Sequence, residues 1–206
     1  MSEEKSRLEK QLEFLLVSDQ EKKIGRQTWL SDGSRKENDA EHGWHMALMA
    51  YILQEYANEP VDVSKVMLMC LIHDLPEIFA GDTYAYDEEA RKSQKEREEA
   101  GMEQLFSMLP KDQYEKLKAL FEEFEARKTP EARFANALDT LQPTMLNAAA
   151  HGKSWTEHGV KLSQVLERNQ RTEEGSKTLW DHSLNQWILP QLGKSLTDDR
   201  EKTEKE

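Results

Sequence analysis

Two histidines and two aspartates interrupt stretches of sequence that otherwise predict buried helices. His42 comes just before a long apolar run, and His73 and Asp74 directly follow another one. Asp139 lies within a segment rich in Ala and Leu. A buried carboxylate is costly unless a counter-charge, hydrogen bonds or a metal ion compensate it. The four side chains are therefore candidates for one site at which imidazole nitrogens and carboxylate oxygens bind a divalent cation such as Zn, Mn, Co, Ni or Fe.

Each of these residues has a simpler interpretation when it is taken alone. A His-Asp pair at the end of a helix is often a cap or a hydrogen-bonded pair, and Asp139 could form an ion pair with Arg133. The metal site is favoured because all four residues fall at interrupted apolar helices. His42 lies 31 residues before His73, and Asp139 lies 65 residues after Asp74.

The elements that must position these residues are predicted to be helices. Apolar residues recur at helical spacing, Gly and Pro are few, and no segment alternates clearly with the period of a strand. Asn38 and Glu41 form a capping box before the helix of His42, and Pro76 ends or kinks the helix of His73. Helices are predicted for residues 7–18, 40–57, 62–75, 87–109, 111–127, 130–150, 157–170 and 173–192, and residues 24–38 are predicted to be a loop with a turn at Asp32-Gly33-Ser34.

Length and charge limit the class of protein. The chain has 206 residues and 28 basic against 40 acidic side chains, so its net charge is −12. This argues against a nucleic acid polymer as a partner, because such affinity comes mainly from Lys and Arg at phosphates. We expect residues 1–194 to form one all-α domain and residues 195–206 a charged, disordered tail. With no signal peptide, no membrane-spanning run and Cys70 as the only cysteine, we expect a soluble cytoplasmic protein that does not bind membranes.

The pattern His42…His73-Asp74…Asp139 resembles that of the HD-domain metal-dependent phosphohydrolases. The resemblance is closer to the branch of the bacterial 5′-deoxynucleotidases and their eukaryotic HD-domain-containing relatives, and it covers about residues 8–150. The stretches similar to that branch are RKENDAEH (35–42), HDLPEIFAGD (73–82) and KEREEAGMEQL (95–105). The resemblance implies an all-α HD-domain helical bundle with a central metal site.

The resemblance also implies a role for each polar residue of these motifs. The two histidines and two aspartates named above would hold one divalent metal ion, Glu77 would be the catalytic carboxylate, and Asp82 would help to place water or substrate. Glu77 follows the His73-Asp74 dipeptide by one turn, where it could act as general acid and base on the attacking water or the leaving oxygen.

Residues of the preceding loop would bind the substrate. Arg35 matches an arginine of the R-x-E-N-x-x-E-H stretch, and Arg26 and Trp29 stand where the branch has an adjacent Arg-Trp pair. Two residues separate Arg26 from Trp29 here, so this part of the bacterial pattern and the sugar preference linked to it do not carry over. The resemblance implies a homodimer that hydrolyses small phosphorylated substrates, (deoxy)nucleoside 5′-monophosphates, to nucleoside and phosphate.

Other functions are compatible with parts of the pattern. A non-catalytic metal or nucleotide sensor of the same fold need not keep Glu77, and an HD hydrolase of another phosphoester would keep it. A guanosine-tetraphosphate hydrolase would have a second acid where this chain has Ile78, and a two-metal phosphodiesterase would need histidines beyond His45. A purely structural helical protein would bind no divalent ion.

Overall fold

Helices dominate the structure, as the helical spacing of the apolar residues predicts. The computed structural model describes residues 5–81, 86 and 92–199. The helices are α1 (Arg7–Ser18), α2 (Asp39–Leu53), α3 (Val63–Ile72), α4 (Glu77–Ala80), α5 (Gln94–Phe106), α6 (Lys111–Ala126), α7 (Pro130–Ala149), α8 (Lys153–His158), α9 (Leu162–Asn169), α10 (Thr172–Gly175) and α11 (Lys177–His182). The structure also contains short 3₁₀ turns at Asp19–Lys23, Gln54–Tyr56 and Leu189–Gln191, and a π-helical turn at Ser183–Ile188. The helix predicted from residue 87 begins at Gln94, after a turn at residues 92–93, and residues 87–91 lie outside the described residues.

The segment predicted as a loop, residues 24–38, contains a β-hairpin. Strands β1 (Gly25–Trp29) and β2 (Lys36–Asn38) are antiparallel, with the first residue of β1 opposite the last of β2 and an irregular register between the ends. The predicted turn joins them, and Gly33 adopts a φ of +67° there. Strands this short show too few alternations for a sequence pattern to reveal them.

The ends of α2 and α3 explain why polar residues lie beside apolar runs. Asn38 caps α2 by accepting a hydrogen bond from the backbone N–H of Glu41, and the Glu41 carboxylate accepts one from the N–H of Asn38. This confirms the predicted capping box. Helix α3 begins after the cap Asp62 and ends at Ile72, so that His73 and Asp74 lie just beyond its last turn.

The predicted bounds of the two C-terminal helices, residues 157–170 and 173–192, are wrong. Gly159, with a φ of +58°, ends α8. Ser176, with a φ of −157°, separates α10 from α11. Left-handed and extended backbone both interrupt the helical hydrogen-bond ladder, so several short helices replace the two predicted ones.

The three helices that carry the predicted ligands share one apolar core. Met46 of α2, Met69 of α3 and Leu138 of α7 are fully buried together with Phe134. A second cluster joins α1 to α5 and α6, and a third lies among α8, α9, α11 and the π-helical turn. The helices that carry the ligands are thus held together by a shared apolar core.

Part of the predicted tail belongs to the third core. Leu196 is 2% exposed, the N–H of Leu162 donates to the carbonyl of Thr197, and Ser163 donates to the Asp199 carboxylate. These contacts place residues 195–199 with the domain, whereas residues 200–206 lie outside the described residues. Among the described residues, each helix is too short or too polar to cross a bilayer.

Helix α5 approaches the loop after α3 so closely that only glycine fits between them. A Cβ added at Gly101 would lie 2.4 Å from the carbonyl oxygen of Pro76. We expect Gly101→Ala to destabilise the fold by about 1–3 kcal/mol, because α5 must move away from the turn that leads into Glu77. Urea unfolding measures this change.

Gly25→Ala is the matched control, since its added Cβ would have no neighbour within 4 Å. We expect its free energy of unfolding to stay within about 0.5 kcal/mol of the wild-type value. Equal stability of the two variants would contradict the packing described here.

Candidate metal centre

Three of the predicted ligands meet at one point between α2, α3 and α7. One ligand atom from each of His42, His73 and Asp139 lies within 4.8 Å of the others. The Asp139 Oδ1 atom is 3.2 Å from His42 Nε2 and 3.8 Å from His73 Nε2. Two imidazoles and a carboxylate at these separations form a set that a divalent transition metal ion prefers.

Asp74 adds a second carboxylate to the same cluster. Its oxygens lie 3.1 Å from His73 Nε2 and 4.0 Å from His42 Nε2. The alternative partner considered for Asp139 is engaged elsewhere, because Arg133 bonds to Glu59 and to the carbonyl of Lys128. The structure therefore brings together all four residues that the sequence pattern singled out.

The backbone of α3 fixes the protonation of His73. Its Nδ1 lies 2.9 Å from the carbonyl oxygen of Cys70, which can only accept, so this nitrogen carries the proton. The other nitrogen, Nε2, is buried and lies 3.1 Å from an Asp74 oxygen and 3.8 Å from an Asp139 oxygen. Once it gives up its proton, a nitrogen in such a place fits a metal ligand.

A buried glutamine fixes His42 in the same way. The Gln142 Nε2 donates to a Glu37 carboxylate oxygen at 2.9 Å, which orients the amide, and its Oε1 then accepts from His42 Nδ1 at 2.9 Å. The second amide proton of Gln142 points to Nδ1 of His45 at 3.2 Å. Partners of this kind orient metal-binding histidines and raise metal affinity.

The charges of the cluster favour a cation. Burial and the charge of Arg26 lower the pKa of His42 to about 4. Burial also opposes a charged His73, but Asp74 and Asp139 outweigh it and raise the pKa of His73 to about 9. Burial raises the pKa of Asp139, yet hydrogen bonds from both histidines bring it well below its ordinary value. A divalent cation can take the place of the proton that His73 holds here.

Arg26 lies behind the cluster and not at an open surface. Its guanidinium is 2.7 Å from Asp74, 3.1 Å from Asp39 and 3.5 Å from Glu37, and its side chain is 11% exposed. Burial raises the pKa of Glu37 to about 7, although Arg26 acts in the opposite direction. One guanidinium thus offsets three buried carboxylates, one of which belongs to the metal cluster.

The other two residues predicted to bind substrate have partners of their own. Arg35 is exposed and forms a bidentate pair with Glu41 at 2.5 and 2.8 Å. The Trp29 indole donates to Glu157 at 3.0 Å, and the Lys153 ammonium lies 3.2 Å from the centre of its ring. Both residues belong to the hairpin, but neither is among the residues that surround the metal cluster.

Glu77 is the first residue of α4 and is buried. Its N–H donates to the carbonyl of Asp74 at 2.8 Å, so the turn that follows α3 holds it beside the ligand dipeptide. The other residue predicted to be catalytic, Asp82, lies outside the described residues.

Further carboxylates lie within electrostatic reach of the cluster and were not singled out from the sequence. Burial, together with the charge of Asp74, raises the pKa of Glu21 to about 7. The pKa of Glu98 is raised to about 7, mainly by burial and to a smaller extent by the charges of Glu125 and Asp74. No motif marks these residues, because their effect depends on helices that meet only in the folded chain.

Comparison with known proteins identifies a family model and several relatives named as 5′-deoxynucleotidases. A family model described as an HD domain matches residues 18–180. The chain is 33% identical over 132 residues to the 5′-deoxynucleotidase HDDC2 of Bos taurus, and this match covers 64% of the chain and 63% of that protein. It is 30% identical over 132 residues to the protein of the same name from Homo sapiens, with the same two shares. The chain therefore spans slightly less than two thirds of the length of these relatives.

Two solved structures are also similar. A predicted metal-dependent phosphohydrolase from Magnetospirillum magnetotacticum MS-1 is 47% identical, with a TM-score of 0.83 over 87% of this chain and 90% of that one. A conserved hypothetical protein from Pyrococcus furiosus is 22% identical, with a TM-score of 0.56 over 79% and 93%, and this likeness concerns the fold alone.

The contact between Gln142 and His42 predicts an effect on metal affinity. We expect Gln142→Leu to weaken divalent metal binding by about 10- to 100-fold, because His42 loses the acceptor that orients its ring. Titration calorimetry with Mn²⁺ or Ni²⁺ measures the dissociation constant, and circular dichroism verifies that the variant is folded.

Gln113→Leu serves as the control. It removes an amide hydrogen bond to Gln11 that joins α6 to α1 and involves none of the metal ligands. Its metal affinity should equal that of the wild type. If Gln142→Leu also bound metal as tightly as the wild type, the orienting role of Gln142 would be wrong.

Proposed function

The chain belongs to the HD domain family, and from this membership we propose that it is a divalent-metal-dependent phosphohydrolase. The observation that carries the proposal is the cluster of His42, His73, Asp74 and Asp139, in which the Nδ1 hydrogen bond of each histidine leaves its Nε2 facing the carboxylates. The similar structure from M. magnetotacticum, described as a metal-dependent phosphohydrolase, and the 5′-deoxynucleotidase relatives support the reaction class.

The proposed substrates are (deoxy)nucleoside 5′-monophosphates, and the products are the nucleoside and phosphate. Bound at this cluster, one divalent ion (Mn, Co, Zn, Ni or Fe) would supply an acidified water and offset the charge of the phosphate. The net charge of the chain is −12, so a phosphate needs such local positive charge to bind at all.

Glu77 is proposed to move the proton. It is buried at the start of α4, and its backbone is bonded to Asp74, so its carboxylate is held on the turn that leaves the cluster. As general base it would take a proton from the attacking water, and as general acid it would give one to the leaving 5′-oxygen. Asp82 is proposed to help place water or substrate.

Two arginines of the hairpin segment are proposed to receive the phosphate. Arg26 supplies a guanidinium 2.7 Å from Asp74, and Arg35 of the same hairpin becomes available if substrate replaces Glu41 as its partner. Trp29 is proposed to border the sugar or base from the hairpin.

A cleft of about 730 Å³ between α5 and α6 has room for the rest of a nucleotide. Glu98, Glu125, Arg127 and Arg171 are among the residues that line it. Burial raises the pKa of Glu125, although the charges of Arg127 and His73 act in the opposite direction.

A sensor that binds metal and nucleotide without turnover is the second candidate. Its support is the dense internal pairing of Arg26, Arg35 and Trp29, which leaves these three residues engaged in the structure. A cytoplasmic location and a homodimeric state belong to the same proposal.

A phosphate-release assay over ribo- and deoxyribonucleoside 5′-monophosphates, with each candidate metal, tests the function. We expect metal-dependent release that chelation abolishes and metal addition restores. Glu77→Gln should bind metal normally and lower kcat by about 10²- to 10⁴-fold, because the amide cannot transfer the proton.

Glu115→Gln is the control, since Glu115 is an exposed residue of α6 paired loosely with Lys111 at 3.7 Å and does not line the cleft. Its kcat should match that of the wild type. Full turnover by Glu77→Gln would remove Glu77 from the mechanism, and binding without release by the wild-type protein would favour the sensor.

A further inference from the structure

Most arginines of this acidic chain are paired, and a few are not. Five of the described arginines have hydrogen-bonded partners on the protein: Arg7, Arg26, Arg35, Arg97 and Arg133. Within the described part of the chain, the side chains of Arg127, Arg168 and Arg171 form no ion pair and no hydrogen bond. Acidic side chains outnumber basic ones by 40 to 28, so an arginine without a carboxylate partner is unusual here. Such a guanidinium is a candidate for binding an anion from solution.

The end of α9 and the start of α10 are held against α7 next to Asp139. The hydroxyl oxygen of Thr140, the residue after Asp139, is 2.7 Å from that of Thr172. One turn further along α7, Thr144 donates to the side-chain oxygen of Asn169 at 2.7 Å. Asn169 and Thr172 are almost fully buried, so both contacts are sheltered from water. This part of the backbone thus lies beside the turn of α7 that carries a metal ligand.

Arg168 lies in the last turn of α9 and is half-buried. Burial raises the pKa of Asp139, hydrogen bonds from both histidines lower it, and the charge of Arg168 lowers it further. Arg26 is 2.7 Å from Asp74, the other carboxylate of the cluster. Two guanidinium groups therefore act on the metal cluster from different elements, one from β1 and one from α9.

The charges at the metal centre show why the second guanidinium matters. The charge of a divalent ion would be matched by the two carboxylates of the cluster, Asp74 and Asp139. The charge of Arg26 is already shared among three buried carboxylates. A phosphate monoester brings a charge of about −1.5 to −2 at neutral pH. Its binding therefore requires a further cation beside the ion, and Arg168 is an unpaired one within electrostatic reach of a metal ligand.

We propose that Arg168 binds the phosphate group of the substrate at the metal centre. The inference rests on the proposed function, because it names a further substrate-binding residue of the same site. A guanidinium can bind two phosphate oxygens at once, and it favours the charge that spreads over the phosphoryl oxygens during transfer. Arg171, three residues along the chain, lines the cleft proposed for the rest of the nucleotide, so the two arginines would follow the substrate from its phosphate outward.

The contacts that hold α9 in place do not involve the Arg168 guanidinium. Leu162 and Val165 are fully buried in the third core, and Asn169 bonds to Thr144. A cation in the last turn of a helix also favours the helix dipole, but at a half-exposed position this effect is small. Replacing the guanidinium should therefore leave the helix and the metal cluster intact.

Titration calorimetry of inorganic phosphate into the Mn²⁺-loaded protein tests the proposal without turnover. Arg168→Gln should weaken phosphate binding by about 10- to 100-fold, because charge-assisted hydrogen bonds are lost. Its affinity for Mn²⁺ and its unfolding temperature should equal those of the wild type. Arg168→Lys keeps the charge but cannot bind two oxygens in one plane, so its phosphate affinity should lie between those of Arg168→Gln and the wild type.

Arg7→Gln is the matched control, since Arg7 is an exposed arginine of α1 whose partner is Asp112. Its affinities for phosphate and Mn²⁺ should equal those of the wild type. Wild-type phosphate affinity in Arg168→Gln and Arg168→Lys would overturn the proposal. A parallel loss of Mn²⁺ affinity in both variants would overturn it as well, because it indicates a structural role.

The binding measurement separates this inference from the proposed reaction. Phosphate affinity that depends on Arg168 supports the inference even in a protein that releases no phosphate from nucleotides. Phosphate affinity that is independent of Arg168 contradicts it even in an active hydrolase.

Discussion

The structure depends on one electrostatic requirement: carboxylates and imidazoles enclosed by apolar helices need a positive charge among them. Asp139 lies within α7, and His42 and His73 reach it from α2 and from the end of α3. Without a cation, His73 itself carries the charge, since Asp74 and Asp139 raise its pKa to about 9. A bound divalent ion would meet the same requirement and release that proton, so metal binding and the stability of the core are linked.

A surrounding layer of hydrogen bonds makes this cluster a prepared site. The carbonyl oxygens of Cys70 and of the Gln142 amide each accept a hydrogen bond from the Nδ1 of one histidine. This leaves both Nε2 atoms directed at the same carboxylates. Arg26 offsets the carboxylates behind them. The hairpin is thereby tied to the site through Arg26 and through Glu37, which accepts from Gln142.

The sequence pattern was sufficient for the residues whose local context is unusual. His42, His73 and Asp139 stand out because each interrupts an apolar helix, and the cap at Asn38 has a local signature that the structure confirms. Gln142 could have been suspected from its place one turn after Asp139, but Glu37 could not. Its role depends on a contact with Gln142 across 105 residues, which no local pattern encodes. The hairpin was missed because its strands are too short to show an alternating pattern, and the C-terminal helices because Gly159 and Ser176 adopt non-helical backbone.

The position of the metal ion is the most direct test of the account. A crystal grown or soaked with Mn²⁺ and measured for anomalous scattering should show one peak per chain, within bonding distance of His42 Nε2, His73 Nε2 and the carboxylates of Asp74 and Asp139. A peak bound by other residues, or a chain that stays metal-free under conditions in which it is folded, would contradict it.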